Sequence, residues 1–270
     1  MRRSRTIAAG VLLSLALIAG CVPASPPSAA GVSVTSQVQA TPTGTQNAGI
    51  HQAHIDSPTL GRSLTFEYYL PPHYQRQTEA SYPVVYLIPG GGGTPSTWTS
   101  DMHGAEIADQ LIRSGEVPPF ILVTTANLSD DQHGVALMND LVPYVDANFR
   151  TQADRRHRAV GGCSLGGLIA YRIAFQRPDL FGSVGLFGSV IRPEEKALNE
   201  WIAATPPDQW PRVLMDYGGQ DSLVKKARIM TDILDKWGVP YSMNMGSAGH
   251  DPMYWSGHLD MYLRWYAMEW

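Results

Sequence analysis

Gly162-Cys163-Ser164-Leu165-Gly166-Gly167 lies between an apolar strand-like run, Arg158 to Val160, and a helix-like run, Leu168 to Phe175. Its pattern is G-x-S-x-G. A strand before it and a helix after it give the setting in which a sharp turn lifts a serine clear of its surroundings. A serine hydroxyl is a weak nucleophile and has to be held beside a base. The turn is possible only if its flanks are small. Gly162 and Gly166 provide that, and Gly167 lets the helix pack close to the sheet. The first amides and the dipole of the helix then face any oxyanion formed there. Ser164 is the apex of the turn, and its neighbour Cys163 reads as a small buried hydrophobe.

The elements on either side set the fold class. Upstream, Ile50 to Asp56 and Leu64 to Leu70 read as two antiparallel strands, with Pro58 and Gly61 marking the turn. Val84 to Ile88 is a continuous apolar run, as in a strand buried on both faces. Ala105 to Ser114 predicts a helix and Phe120 to Thr124 a strand. Leu137 to Phe149 predicts a helix with Leu137, Leu141, Tyr144 and Val145 on one face. Downstream come a strand at Val184 to Phe187, a helix at Glu194 to Ala203 and a strand at Val213 to Tyr217. A helix at Leu223 to Trp237, a strand at Tyr241 to Met245 and a closing helix at Trp255 to Ala267 complete the series. Strands alternating with helices predict an α/β fold with a mostly parallel central sheet and helices on both faces. Ligands in such sheets bind beyond the carboxyl ends of the strands. Residues 188–212 are too few to hold a large lid.

A serine nucleophile needs a base, and the base needs an acid to orient it. In the α/β-hydrolase fold these follow in the order Ser, Asp or Glu, His. Asp221 ends the loop Gly218-Gly219-Gln220 after the Val213 strand and is the expected acid. Asp216 lies inside that strand and is the weaker candidate. His250 ends the loop Gly246-Ser247-Ala248-Gly249 after the last strand and is the expected base. His51, His54, His73, His103, His133, His157 and His258 stand elsewhere, His258 within the closing helix. Two backbone amides are expected at the oxyanion. Leu165 follows the nucleophile, and the second comes from Pro89-Gly90-Gly91-Gly92-Gly93, with Gly91 favoured and Gly90 next. Trp98, Trp201, Trp210 and Trp255 are aromatic candidates for a substrate wall, of which Trp98 and Trp255 stand nearest the motifs. Asn127 opens a polar loop that borders the expected pocket. This chemistry calls for no metal and no cofactor.

Composition narrows the class. The 270 residues carry a formal charge of −4, with 44% hydrophobic and 16% charged residues. That is a globular balance with no basic surplus for nucleic acid. Residues 1–20 read as a lipoprotein signal peptide. Arg2, Arg3 and Arg5 precede an apolar run from Ile7 to Ala19, which ends in Leu17-Ile18-Ala19-Gly20-Cys21. Cys21 is the expected lipidation site, giving an exported protein attached to the outer face of a membrane through its acyl chains. Losing the three arginines takes the charge from −4 to −7. Residues 21–49 are rich in Pro, Ser, Ala, Thr, Gln and Gly and read as a flexible tether, leaving 50–270 as the catalytic domain. With Cys21 lipidated, Cys163 has no disulfide partner.

Four stretches together resemble the Putative esterase family of α/β-hydrolases. They are Tyr82-Pro83-Val84-Val85-Tyr86-Leu87 with the glycine run and Trp98, Asp140-Leu141-Val142-Pro143-Tyr144-Val145, Gly162 to Gly167, and Gly249-His250-Asp251 with Tyr254-Trp255. That family holds feruloyl and acetyl-xylan esterases, S-formylglutathione hydrolases, enterochelin esterases and mycolyltransferases. The resemblance runs from about Leu64 to Tyr266 and implies the triad Ser164, Asp221 and His250. Pro89 departs from it, standing where members often have His before Gly. The resulting expectation is a serine carboxylesterase acting on a water-soluble ester, such as a feruloyl or acetyl carbohydrate ester. The rival expectations are a mycolyltransferase-type acyl transfer and a non-catalytic lipid-anchored binding protein.

Overall fold

Apolar runs without alternation form strands covered on both faces. In the computed structural model, which describes residues 47–126, 131–192 and 196–270, four strands are buried at every position. They are Val84–Ile88 (β3), Ile121–Thr125 (β4), Arg158–Cys163 (β5) and Ser183–Phe187 (β6). Val and Ile recur in them, and a stiff χ1 suits a pleated surface. Gly49–Ser57 (β1) and Arg62–Leu70 (β2) precede them, and Arg212–Gly218 (β7) and Tyr241–Gly246 (β8) follow.

The eight strands form one sheet in the order β1-β2-β4-β3-β5-β6-β7-β8. β1 and β2 make an antiparallel hairpin, β2 is antiparallel to β4, and all later pairs are parallel. Parallel neighbours need crossovers. The helices are Gly104–Arg113 (α1), Asp131–Ala136 (α2), Val142–Asn148 (α3), Leu165–Gln176 (α4), Lys196–Ala204 (α5), Val224–Trp237 (α6), Pro252–Gly257 (α7) and Leu259–Ala267 (α8). Side chains alternate between faces along a strand. Val84, Tyr86 and Ile88 therefore join the core built with α3, α4, α5 and α6, and Val85 and Leu87 join the core built with α1 and α8.

This is the α/β-hydrolase fold, and its strand order locates a crevice. After β3 the chain runs to β4 on one side, whereas after β5 it runs to β6 on the other. The loops leaving β3 and β5 part at a topological switch point, where an open α/β sheet offers room for a ligand. Those two loops carry Gly90–Gly93 and Ser164.

Several elements differ from the sequence reading. The helix expected from Leu137 to Phe149 is a π-helical turn at Leu137–Leu141 followed by α3, and α2 precedes it at Asp131–Ala136, where the expected polar loop gives way to helix. Pro143 has no N–H for the carbonyl one turn back, and the wider turn lies directly before it. The closing helix is interrupted at Gly257-His258, giving α7 and α8. A π-helical turn at Thr97–Asp101 was not foreseen. Among the described residues no helix is long and apolar enough to cross a membrane. The signal segment, Cys21, most of the tether, Asn127 and Glu194 lie outside the described residues.

Candidate active site

Ser164 is the only residue between β5 and α4, and its backbone takes φ 53° and ψ −120°. Positive φ is costly for a side chain other than glycine and persists only where the surroundings impose it. The Ser164 N–H donates to the Phe187 carbonyl at 3.0 Å, and its carbonyl accepts from the Val190 N–H at 3.0 Å. Gly166 brings the turn onto the end of β3. A Cβ there would sit 2.1 Å from the Ile88 carbonyl oxygen and 2.5 Å from that of Pro89. The turn is thus strained, rigid and held by two neighbouring strands.

Cys163, one residue earlier, points into the core. Burial pushes its thiol up to about 12, against the smaller opposing pull of a Gly90 backbone hydrogen bond. A raised thiol stays protonated and unreactive at neutral pH. Iodoacetamide at about pH 8 is therefore expected to spare Cys163 in the native protein and to alkylate it after unfolding. Peptide mapping checks this, and a rapid native adduct on Cys163 would contradict the assignment.

The acid and base stand at the ends of β7 and β8. Asp221 is buried. Its Oδ1 accepts the Leu223 N–H at 2.7 Å, and its Oδ2 lies 2.8 Å from His250 Nδ1. The His250 ring keeps 31% of its surface while the carboxylate keeps none. A proton on Nδ1 that faces a carboxylate leaves Nε2 as the free acceptor. Trp255 packs edge-on against the imidazole, with centroids 4.8 Å apart. The two loops are also laced together. Gly219 N–H donates to the Gly246 carbonyl at 2.7 Å, and Gln220 N–H to that of Ala248 at 3.0 Å.

Gly188 connects this pair to the serine. It follows Phe187, whose carbonyl holds Ser164, and has φ 51°. A Cβ on it would lie 2.8 Å from Asp221 Oδ2 and 2.9 Å from the Trp255 ring. The acid, the base's supporting ring and the serine's backbone partner thus converge at the carboxyl ends of β5 to β8.

The glycine run reaches the same point. A Cβ on Gly90 would be 3.3 Å from Ser164 Cβ, and one on Gly91 would be 2.9 Å from Leu165 Cδ1. A cavity of about 350 Å³ opens beside Leu165 and follows α4, with Leu168, Ile169, Ile173, Trp201 and Arg192 among its walls. Trp98 does not line this cavity. It is wholly buried and packs edge-on to Phe187, because the π-helical turn folds it inward beneath the site. Trp210 donates to the Ile202 and Thr205 carbonyls and serves the scaffold.

Two groups escaped the sequence reading. Glu67 is buried and accepts from the Thr99 and Ser100 hydroxyls, tying β2 to the turn that follows the glycine run. A lone carboxylate amid Phe66, Tyr68 and Tyr69 was the available signal. Asp216, the weaker acid candidate, and His258, expected within the closing helix, bond one another at 2.9 Å. Among the described residues no three His, Cys, Asp or Glu side chains are grouped to share a metal ion.

Comparison with known proteins gives a consistent result. The family model described as Putative esterase matches residues 57–238. An endo-1,4-beta-xylanase/feruloyl esterase of Xylanibacter ruminicola is 33% identical over 165 residues, which is 55% of this chain and 23% of that protein. An esterase of Mycobacterium tuberculosis is 34% identical over 131 residues, 42% of this chain and 26% of that one. The matched stretch therefore spans only about a quarter of each of these relatives. A solved ferulic acid esterase superposes with a TM-score of 0.75 at 21% identity, covering 83% of this chain and all of its own.

Proposed function

The chain belongs to the Putative esterase family, and from that premise we propose that it is a serine carboxylesterase with Ser164, His250 and Asp221 as its triad. The observation that carries the reading is the 2.8 Å pairing of His250 Nδ1 with the buried Asp221 carboxylate, set beside a serine held at φ 53°.

Ser164 Oγ attacks the ester carbonyl while His250 Nε2 takes its proton. Asp221 holds the imidazole in the productive tautomer and stabilises the cation. The tetrahedral oxyanion is held by the Leu165 amide, the first of α4, and by an amide of the glycine run, Gly91 being favoured over Gly90. His250 returns the proton to the departing alcohol, leaving an acyl-enzyme. A water activated by the same imidazole then cleaves it.

For the substrate we propose an acyl ester of a carbohydrate, the acyl part being small and flat, as feruloyl or acetyl. The cavity beside Leu165 has the scale of a small-ligand pocket and mixes apolar walls and one indole with Arg172, Gln176 and Arg192; it touches the proposed site only through Leu165, next to Ser164. The feruloyl esterase relative is consistent with such a substrate. A panel of p-nitrophenyl acetate, methyl ferulate, a long-chain acyl ester and a siderophore-type lactone tests this. The expected order places acetyl or feruloyl esters first, and a preference for the long chain or the lactone would refute the substrate class. We further propose that the protein is exported and attached to a membrane through lipidated Cys21, with the domain on a tether. Metabolic labelling with a clickable fatty acid, lost in Cys21→Ala, tests that assignment.

A further inference from the structure

Asp216 is a carboxylate wholly buried on an inner strand, a position where an apolar side chain would be cheaper. It is fully satisfied. Oδ1 accepts from Asn244 Nδ2 at 2.9 Å and from the Tyr254 hydroxyl at 2.7 Å. Oδ2 accepts from His258 Nδ1 at 2.9 Å and from the Tyr262 hydroxyl. The donors come from β8, α7, the α7–α8 junction and α8, so one carboxylate gathers the strand before the base's loop and both helices after it.

Tyr254 is the link from this carboxylate to His250. Its hydroxyl donates to Asp216 and accepts the Gly246 N–H at 3.0 Å, with the Tyr217 carbonyl 3.2 Å away. Burial, then the bond to Asp216, pushes the Tyr254 phenol up, so it remains a donor at any working pH. Gly246 opens the loop that ends in His250. Trp255, the residue after Tyr254, presses its ring edge-on to the imidazole. Behind this loop, Gly218 sits so close that a Cβ would fall 2.1 Å from the Ala248 carbonyl oxygen. The loop bearing the base is thus fastened at its root through Tyr254 and braced at its tip through Trp255, and both residues belong to one helix anchored on Asp216.

We propose that Asp216, Tyr254 and His258 form a positioning hub for the reacting imidazole: a second His–Asp pair, one layer behind the first, that holds His250 in register with Ser164. The proposal rests on the triad reading given above. Its members do not touch the reacting atoms. They act through the placement of His250, and a displacement of about 1 Å in such a group can cost about a hundredfold in rate.

Tyr254→Phe and His258→Ala test it. Each removes one bond to Asp216, and each site is partly exposed to solvent. With p-nitrophenyl acetate, well below the melting temperature of each variant, kcat is expected to fall about tenfold to a hundredfold in Tyr254→Phe. It should fall several-fold in His258→Ala. KM should stay within about twofold in both, and fluorophosphonate labelling of Ser164 should slow in parallel. A purely structural tie would lower the melting temperature and leave kcat alone. If either variant folds cooperatively and turns over at the wild-type kcat, the hub is refuted, whatever its melting temperature. If Tyr254→Phe does not fold, His258→Ala decides. Ser164→Ala run alongside separates the two claims: full activity there sinks the triad, whereas an inactive Ser164→Ala beside a fully active Tyr254→Phe sinks the hub alone.

Discussion

Asp221→Asn is expected to lower kcat about ten-thousandfold, or about 5 kcal/mol of transition-state stabilisation, while leaving KM and the fold nearly unchanged. The size of the effect follows from the two partners of the carboxylate. Oδ1 takes the Leu223 N–H at 2.7 Å and Oδ2 faces His250 Nδ1 at 2.8 Å. An asparagine keeps the first bond by turning its carbonyl oxygen toward Leu223. Its amide nitrogen then faces the imidazole as a donor. His250 can meet a donor only by offering the Nδ1 lone pair, which puts its proton on Nε2. An imidazole with a protonated Nε2 has nothing with which to accept the proton of Ser164. The shape of the site survives and its base is lost. Steady-state kinetics on a p-nitrophenyl ester, with the melting temperature as control, checks this. A fall of less than about tenfold would mean that Asp221 does not set the tautomer.

Ser164→Ala is expected to have the largest effect of any single change, a loss of about a millionfold in kcat. Without the hydroxyl no acyl-enzyme forms, and the residual rate comes from oxyanion binding and substrate placement alone. Alanine at that position keeps the backbone strain, because the φ of 53° is imposed by the bonds to Phe187 and Val190 and by the approach of Gly166 to β3. The variant should therefore fold and still bind substrate. Isothermal titration with methyl ferulate would separate intact binding from lost turnover. Retention of most of the activity would exclude Ser164 and move attention to another group.

The fold was legible because both faces of the inner strands are covered. Burial on two sides forces unbroken apolar runs such as Val84 to Ile88, and a run of that kind cannot be mistaken for a half-exposed strand. The turn at Ser164 was legible for a related reason. Its glycines answer to contacts with Ile88 and Pro89 that no side chain could survive, so sterics write the motif directly into the chain. Asp221 follows the buried, apolar β7 and His250 the partly exposed edge strand β8, each in a glycine-containing loop at the strand's carboxyl end. Helix interruptions were less visible. Pro143 forecasts a disturbance but not its form, and nothing local announces that the chain breaks at His258, whose ring bonds Asp216 of β7. Trp98 shows the same limit from the other side. An indole has the same local signature whether it lines a pocket or fills a core, and only the π-helical turn at Thr97–Asp101 decides which. The hub around Asp216 depends on residues up to 46 positions apart, a separation that local patterning does not encode.

The central claim is that Ser164 is a nucleophile activated by His250, and active-site labelling tests it most directly. Native protein is treated with a fluorophosphonate probe, digested and mapped by mass spectrometry, with His250→Ala treated in the same way. The account predicts a single stoichiometric adduct on Ser164 in the wild type and almost none in His250→Ala. An unlabelled Ser164, an adduct on another side chain, or labelling that proceeds unchanged without His250 would contradict it.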